Sequence, residues 1–300
     1  MSQDFLSGVW NITPTPFNPD GSLDLASVRR LTDFTIARGV DGVSILGVMG
    51  EADKLTETER DHVITATLET AGGRLPVCVG TTHAGTDGSV AFSRRAQQLG
   101  AAAVMVAPPR LTRSSDQILR KHYLAVAEAV RIPIVVQDYP PSSGVFMSVE
   151  FLAALAREAP QCRYIKAEDE PSPPKIARLL AANPDLRIVG GLGGNMFLEE
   201  LRRGAVGTMT GFGFPEILVR IYKAFTAGRH DEAAEIFYKY CPLIRFENQQ
   251  RINLPIRKHI YQRRGAIASA QTRFPAAELD KGTIADLEDL LRRLGLDLRM

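Results

Sequence analysis

Eight short apolar runs alternate with eight helical patterns along this 300-residue chain. The runs are Gly8–Thr13, Gly42–Leu46, Val77–Gly80, Ala103–Val106, Ile134–Asp138, Tyr164–Ala167, Arg187–Gly190 and Gly207–Thr210. The helical patterns that follow them are Leu25–Arg38, Glu57–Thr70, Ser89–Leu99, Asp116–Val130, Val149–Glu158, Pro173–Asn183, Met196–Arg203 and Pro215–Ala227. Eight strand–helix units predict an α/β fold whose parallel sheet closes into a (β/α)8 TIM barrel. An open doubly wound sheet is the alternative, but it usually has fewer units or an obvious linker.

Further helical patterns follow the eighth unit, at Asp231–Phe246, Arg251–Arg263 and Ala276–Leu294. We interpret residues 1–228 as the barrel and residues 229–300 as a C-terminal helical extension of the same domain. The dense basic run from Arg251 to Arg264 alternates with apolar residues, which is typical of the solvated face of a helix.

The charge balance and the cysteine content exclude several classes of protein. The net charge is +2, and basic and acidic residues are interspersed, so nothing indicates a nucleic-acid partner. Cys78, Cys162 and Cys241 have neither zinc-site spacing nor a disulfide framework, which favours reduced thiols in the cytoplasm. There is no basic and apolar leader and no run of about 18 apolar residues, so we expect neither secretion nor a membrane partner.

Lys166 lies near the end of the sixth apolar run, with Glu168 two residues further on. Burial favours the neutral amine, which is the form that attacks a ketone. A lysine that reaches solvent or simply pairs with Glu168 is the alternative interpretation, since most lysines are solvated. The barrel decides between these readings, because its chemistry lies at the carboxyl ends of the strands and Lys166 is at one of them.

Several motifs together resemble the dihydrodipicolinate synthase / N-acetylneuraminate lyase family. They are Thr13-Pro14-Thr15-Pro16-Phe17, Gly42-Val43, Gly47-Val48-Met49-Gly50-Glu51, Ile165-Lys166 and Gly204-Ala205-Val206-Gly207. The resemblance covers nearly the whole chain. It implies a class I lyase in which Lys166 forms a covalent imine with a pyruvate-type 2-oxo acid, without a metal or another cofactor, and it implies a homotetramer.

The chain departs from the family pattern in two loops. Val48 and Met49 stand where family members usually carry two hydroxyl residues. Their backbone N–H groups would still hold a substrate carboxylate, but the hydroxyl proton relay of the synthase is absent. Gln137 aligns with the family's catalytic tyrosine, and Tyr139 lies two residues further, on the same face if the strand continues.

The pattern is most similar to the subgroup that contains L-2-keto-3-deoxyarabonate dehydratase, in the segments 133–138, 207–215, 242–244 and 247–248. This similarity implies dehydration of a 2-keto-3-deoxy sugar acid, with Glu168 as the base that takes a C3 proton. Gly191, Met209 and Thr210 are expected to contact the substrate. Cleavage of the C3–C4 bond by an aldolase, a synthase-like condensation and a non-catalytic 2-oxo-acid-binding barrel remain alternatives.

Other interpretations of the same residues are structural. Glu168 would pair with a nearby arginine, Gln137 and Asp138 would form hydrogen bonds inside the barrel rim, and Thr210 would serve packing. Only His83 among the histidines falls at a strand end, which disfavours a metal-dependent aldolase. The glycine-rich run 190–195 fits neither dinucleotide nor P-loop spacing.

Overall fold

The computed structural model describes residues 5–111 and 114–296, in which eight parallel strands close into a barrel in chain order. The strands are β1 Gly8–Ile12, β2 Gly42–Ile45, β3 Val77–Gly80, β4 Ala103–Val106, β5 Ile134–Asp138, β6 Tyr164–Ala167, β7 Arg187–Gly190 and β8 Gly207–Thr210. Closure pairs β1 with β8, so that Asn11 lies beside Thr210. The predicted TIM barrel is therefore confirmed, and the open sheet is wrong.

Helices connect the strands and follow the last one. They are α1 Leu25–Ala37, α2 Glu57–Ala71, α3 Thr86–Leu99, α4 Asp116–Ala129, α5 Pro140–Ser143, α6 Val149–Glu158, α7 Ser172–Ala182, α8 Phe197–Arg202, α9 Pro215–Thr226, α10 His230–Glu247, α11 Asn253–Arg263 and α12 Lys281–Leu294. The short helix α5 was not predicted. Helix α12 begins five residues later than expected, because Asp280 caps it by accepting from the N–H of Thr283.

Side chains alternate between the barrel interior and the helical layer, as the period of a strand requires. On β6, Tyr164 packs with Trp10 and Met105 inside the barrel, whereas Ile165 and Ala167 pack against the helices. Lys166 is two residues after Tyr164, so this alternation turns its side chain inward and places it at the carboxyl end of the barrel.

The helices that follow α9 pack back onto the barrel and bury charge there. Arg257 and Lys258 of α11, and Arg264 directly after it, are 3%, 0% and 8% exposed, so the prediction of a solvated basic face is wrong for these three residues. Lys258 Nζ lies 2.5 Å from Glu51 Oε1, which ties α11 to the loop after β2. The two members of this pair are 207 residues apart, so no local pattern could identify them as partners.

The division of the chain into a barrel, residues 1–228, and a helical extension, residues 229–300, stays a prediction. Residues 1–4 of the first segment and 297–300 of the second lie outside the described residues. In the described ranges, no helix is long and apolar enough to cross a membrane.

Candidate active site

Lys166, Glu168 and Gln137 meet at the carboxyl end of the barrel. Lys166 is 3% exposed, and its Nζ lies 2.8 Å from Glu168 Oε2. The side-chain amide of Gln137 donates to the same oxygen at 2.9 Å. The strand register explains this meeting, because Gln137 on β5 is paired with Lys166 on β6. Within residues 5–111 and 114–296, the side chain of Glu168 therefore bonds to the lysine and the glutamine, and not to an arginine.

The loop after β7 fixes the other oxygen of Glu168. The backbone N–H of Leu192 donates to Glu168 Oε1 at 3.3 Å. A Cβ atom at Gly191 would lie 2.5 Å from the Glu168 side chain, so only glycine fits there without displacing the carboxylate. The expected contact of Gly191 with a substrate stays a prediction, since the side chain that Gly191 approaches in this structure is Glu168.

Asp138 does not belong to this group. It follows Gln137 on β5 and so faces the helical layer, where Asp138 Oδ2 lies 2.6 Å from Lys175 Nζ. Burial raises the pKa of Asp138 to about 6, against the opposing charge of Lys175. Its position is that of a structural ion pair outside the barrel.

Tyr139 lies beyond the end of β5. The strand stops at Asp138, and Tyr139 precedes α5 with ψ near 80°, so the extended continuation on which the same-face expectation depended does not occur. The phenol is nevertheless near the mouth. Burial raises the pKa of Tyr139, the charge of Glu168 raises it further, and Arg257 opposes this. Tyr139 therefore lies within electrostatic reach of both residues.

Val48 and Met49 open a short 3-10 turn after β2, from Val48 to Gly50. The first N–H groups of such a turn have no acceptor within the turn itself. The Val48 side chain is 58% exposed, whereas Met49 packs against the interior cluster of the barrel. Neither side chain supplies a hydroxyl group.

Met209 and Thr210 at the end of β8 have different surroundings. The Met209 side chain is buried in the interior cluster with Trp10 and Val189. The hydroxyl of Thr210 accepts from the N–H of Gly193 at 2.8 Å, and so holds the β7 loop against β8.

Arg257, Glu247 and Asn248 also reach the mouth, and the sequence reasoning missed them as site residues. Arg257 Nη1 donates to Met49 Sδ at 3.2 Å, and Nη2 donates to Asn248 Oδ1 at 3.4 Å. Glu247 Oε2 lies 3.6 Å from Arg257 Nε and accepts from the N–H of Gly213 at 2.9 Å. Burial raises the pKa of Glu247 to about 7. The similarity noted at residues 247–248 was the signal that could have led to this group.

A further acid lies behind the mouth. Glu200 on α8 is buried, and its Oε1 accepts from the hydroxyl of Ser172 at 2.6 Å. Burial raises the pKa of Glu200 to about 8, and the charge of Glu168 adds to this effect. In residues 5–111 and 114–296, no three His, Cys, Asp or Glu side chains are grouped so that they could hold a metal ion.

A family model for the dihydrodipicolinate synthetase family matches residues 5–294. The chain belongs to this family. It is 40% identical to L-2-keto-3-deoxyarabonate dehydratase of Azospirillum brasilense, over 96% of this chain and 94% of that protein. It is 32% identical to 4-hydroxy-tetrahydrodipicolinate synthase of Acidobacterium capsulatum, over 97% and 96% of the two chains.

The fold of a solved family member agrees with these matches. The crystal structure of dihydrodipicolinate synthase from Rhodopseudomonas palustris superposes with a TM-score of 0.92 at 35% identity, covering 98% of this chain and 99% of that chain. The family resemblance seen in the sequence is thereby confirmed, and the dehydratase resemblance is matched by a relative of that name.

Proposed function

We propose that the protein is a class I Schiff-base lyase that dehydrates a 2-keto-3-deoxy sugar acid. The observation that carries the proposal is the buried amine of Lys166 at the barrel mouth, 2.8 Å from the Glu168 carboxylate. The 40% identity to a 2-keto-3-deoxyarabonate dehydratase supports the class of substrate.

The first step is attack of the Lys166 amine on C2 of the substrate. Glu168 is placed to take a proton from Lys166 and release the nucleophile. Protonated Glu168 then gives this proton to the C2 hydroxyl, which leaves as water, so that an iminium forms and Glu168 is again a carboxylate; no metal or other cofactor takes part. The N–H groups of Val48 and Met49 hold the carboxylate of the substrate, and Met209 forms the apolar floor below it.

The second step is removal of a C3 proton, which the iminium acidifies. The Glu168 carboxylate takes this proton and an enamine forms. The C4 hydroxyl then leaves as water, with the proton returned by the Glu168 carboxylic acid, and hydrolysis of the imine frees Lys166. Gln137 orients Glu168, Thr210 and Gly191 shape the β7–β8 side of the mouth, and Tyr139 is the second candidate donor to the leaving hydroxyl.

Incubation with L-2-keto-3-deoxyarabonate, followed by mass spectrometry of the products, tests the reaction. The proposal predicts a product that has lost one water. Formation of pyruvate and an aldehyde would instead identify an aldolase, and an unchanged sugar acid together with no exchange of the pyruvate methyl protons would indicate a binding barrel.

We also propose that the protein acts as a homotetramer in the cytoplasm. The free thiols of Cys78, Cys162 and Cys241 suit a reducing compartment. The exposed aromatic side chains of Phe146 and Phe274 suit burial by neighbouring subunits. Light scattering on the purified protein tests the tetramer, and cell fractionation tests the compartment.

A further inference from the structure

The guanidinium of Arg257 is buried at the mouth with weak acceptors. Its side chain is 3% exposed, yet Nη1 faces the thioether of Met49 and Nη2 has a long bond to Asn248. Across the described ranges, Arg257 Nε is a buried nitrogen without a hydrogen-bond partner. A thioether is a weak acceptor, so the five N–H groups of this guanidinium have few good hydrogen-bond partners. Burying such a cation is unfavourable unless another group completes its bonding.

Glu247 offers only partial compensation. Its carboxylate approaches Arg257 Nε no closer than 3.6 Å, which is beyond a normal hydrogen bond. Burial raises the pKa of Glu247 to about 7, so that this group is only partly ionised near neutral pH. The positive charge of Arg257 therefore remains available to an oxygen of a ligand.

The guanidinium faces the loops after β7 and β8. A Cβ atom at Gly193 would lie 3.1 Å from Arg257 Nη2, and one at Gly211 would lie 3.6 Å from Arg257 Cδ. Glycine at both positions leaves the guanidinium in contact with these loops.

On the proposed mechanism, C2 of the substrate is at Lys166 and its carboxylate is at Val48 and Met49. C4 and C5 therefore point toward the polar wall of the mouth that Arg257 and Asn248 form.

Hydrogen bonds connect this wall to the proposed base. Asn248 Nδ2 donates to the carbonyl of Leu192 at 3.0 Å, and the N–H of Leu192 donates to Glu168. Asn248 Oδ1 in turn accepts from Arg257. Asn248 is thus a positioning residue that sets the guanidinium at a fixed place relative to Glu168.

We propose that Arg257 binds the hydroxyl groups at the distal end of the sugar acid and gives the enzyme its preference for hydroxylated 2-oxo acids. This inference rests on the proposed function. Pyruvate has the carboxylate and the ketone but no distal hydroxyl, so it reports on the imine site alone.

The test compares two activities of the Arg257→Met variant. These are kcat/KM for L-2-keto-3-deoxyarabonate and the rate of pyruvate methyl exchange in deuterated water. Loss of a hydrogen bond to a charged group should lower the ratio of kcat/KM for the sugar acid to the pyruvate exchange rate by about 10- to 100-fold. Arg263→Met is the matched control, since Arg263 is an exposed arginine of the same helix and should leave the ratio unchanged.

A second variant, Arg257→Lys, keeps the test decisive if Arg257→Met does not fold. Arg257→Lys keeps the charge beside Glu247 but lacks the planar fork, so the same ratio should fall, though less. An unchanged ratio in a folded variant would overturn the inference, and so would an equal fall in both activities, which would assign Arg257 to the carboxylate. A wild-type protein that leaves the sugar acid unchanged and exchanges no pyruvate protons would instead refute the proposed function.

Discussion

Lys166 and Gln137 occupy paired positions on neighbouring strands, and both bond to the same oxygen of Glu168. The other oxygen of Glu168 is held by the N–H of Leu192. The carboxylate is thus fixed from two sides, with one face toward the amine. A base held in this way needs little reorganisation when it takes a proton, which is the condition for efficient proton transfer.

Replacement of Glu168 should separate imine formation from proton transfer. We expect Glu168→Gln to keep the borohydride-trapped adduct with pyruvate but to slow methyl proton exchange by roughly 10²–10⁴-fold, because the amide cannot accept the C3 proton. Glu150→Gln, at an exposed glutamate on α6, is the control. If Glu168→Gln exchanges protons at the wild-type rate, Glu168 is only a structural partner of Lys166 and not the base.

Either Gln137 or Tyr139 could take over the role of the family's catalytic tyrosine, and the contacts of the two side chains favour Gln137. Gln137 touches Glu168 directly, whereas Tyr139 lies beyond the strand end. We expect Gln137→Met to slow pyruvate proton exchange by about 10-fold, the effect of one lost hydrogen bond to a charged group. Tyr139→Phe should slow it less. The reverse order of the two variants, measured by NMR, would assign the larger role to the phenol.

The Glu51–Lys258 pair should stabilise the loop that carries Val48 and Met49. Lys258→Met leaves the buried Glu51 carboxylate without its closest cation, so the free energy of unfolding in urea should fall by about 3 kcal/mol. The double variant with Glu51→Gln should lose less than the sum of the two single variants. Arg263→Gln breaks an exposed pair with Glu288 and should change stability by less than about 1 kcal/mol. Additive losses would mean that the buried pair is not coupled.

Glu200 should make the stability depend on pH. Burial raises the pKa of Glu200 from an ordinary 4.5 to about 8, so the folded state holds its proton more tightly than the unfolded state does. The contribution of Glu200 to the free energy of unfolding is therefore fully favourable below about pH 4.5 and is lost as the pH rises toward 8. Glu200→Gln removes the titration and should stabilise the protein at pH 8 relative to pH 5, by up to about 3 kcal/mol. Thermal unfolding curves that shift equally at both pH values would contradict this.

The strands could be predicted almost to the residue. β3 to β8 have the predicted bounds, and β1 and β2 end one residue earlier. Short buried runs between polar helices carry a strong local signal, and the position of Lys166 at a strand end follows from it. This part of the site needed no long-range information.

The burial of Arg257 and Lys258 could not be predicted in the same way. Their partners lie in α10 and in the loop after β2, and a basic run has the same local pattern whether it faces solvent or a distant carboxylate. The conformation of Tyr139, just after β5, was missed for a local reason. Pro140 starts the short helix α5, which turns Tyr139 out of the extended conformation.

The central claim is that Lys166 forms the imine, and intact-mass analysis after borohydride reduction tests it most directly. With pyruvate, and separately with L-2-keto-3-deoxyarabonate, the account predicts a covalent adduct on the peptide that contains Lys166, and none in Lys166→Ala. An adduct that persists in Lys166→Ala, or no adduct with either compound in the wild-type protein, would contradict the account.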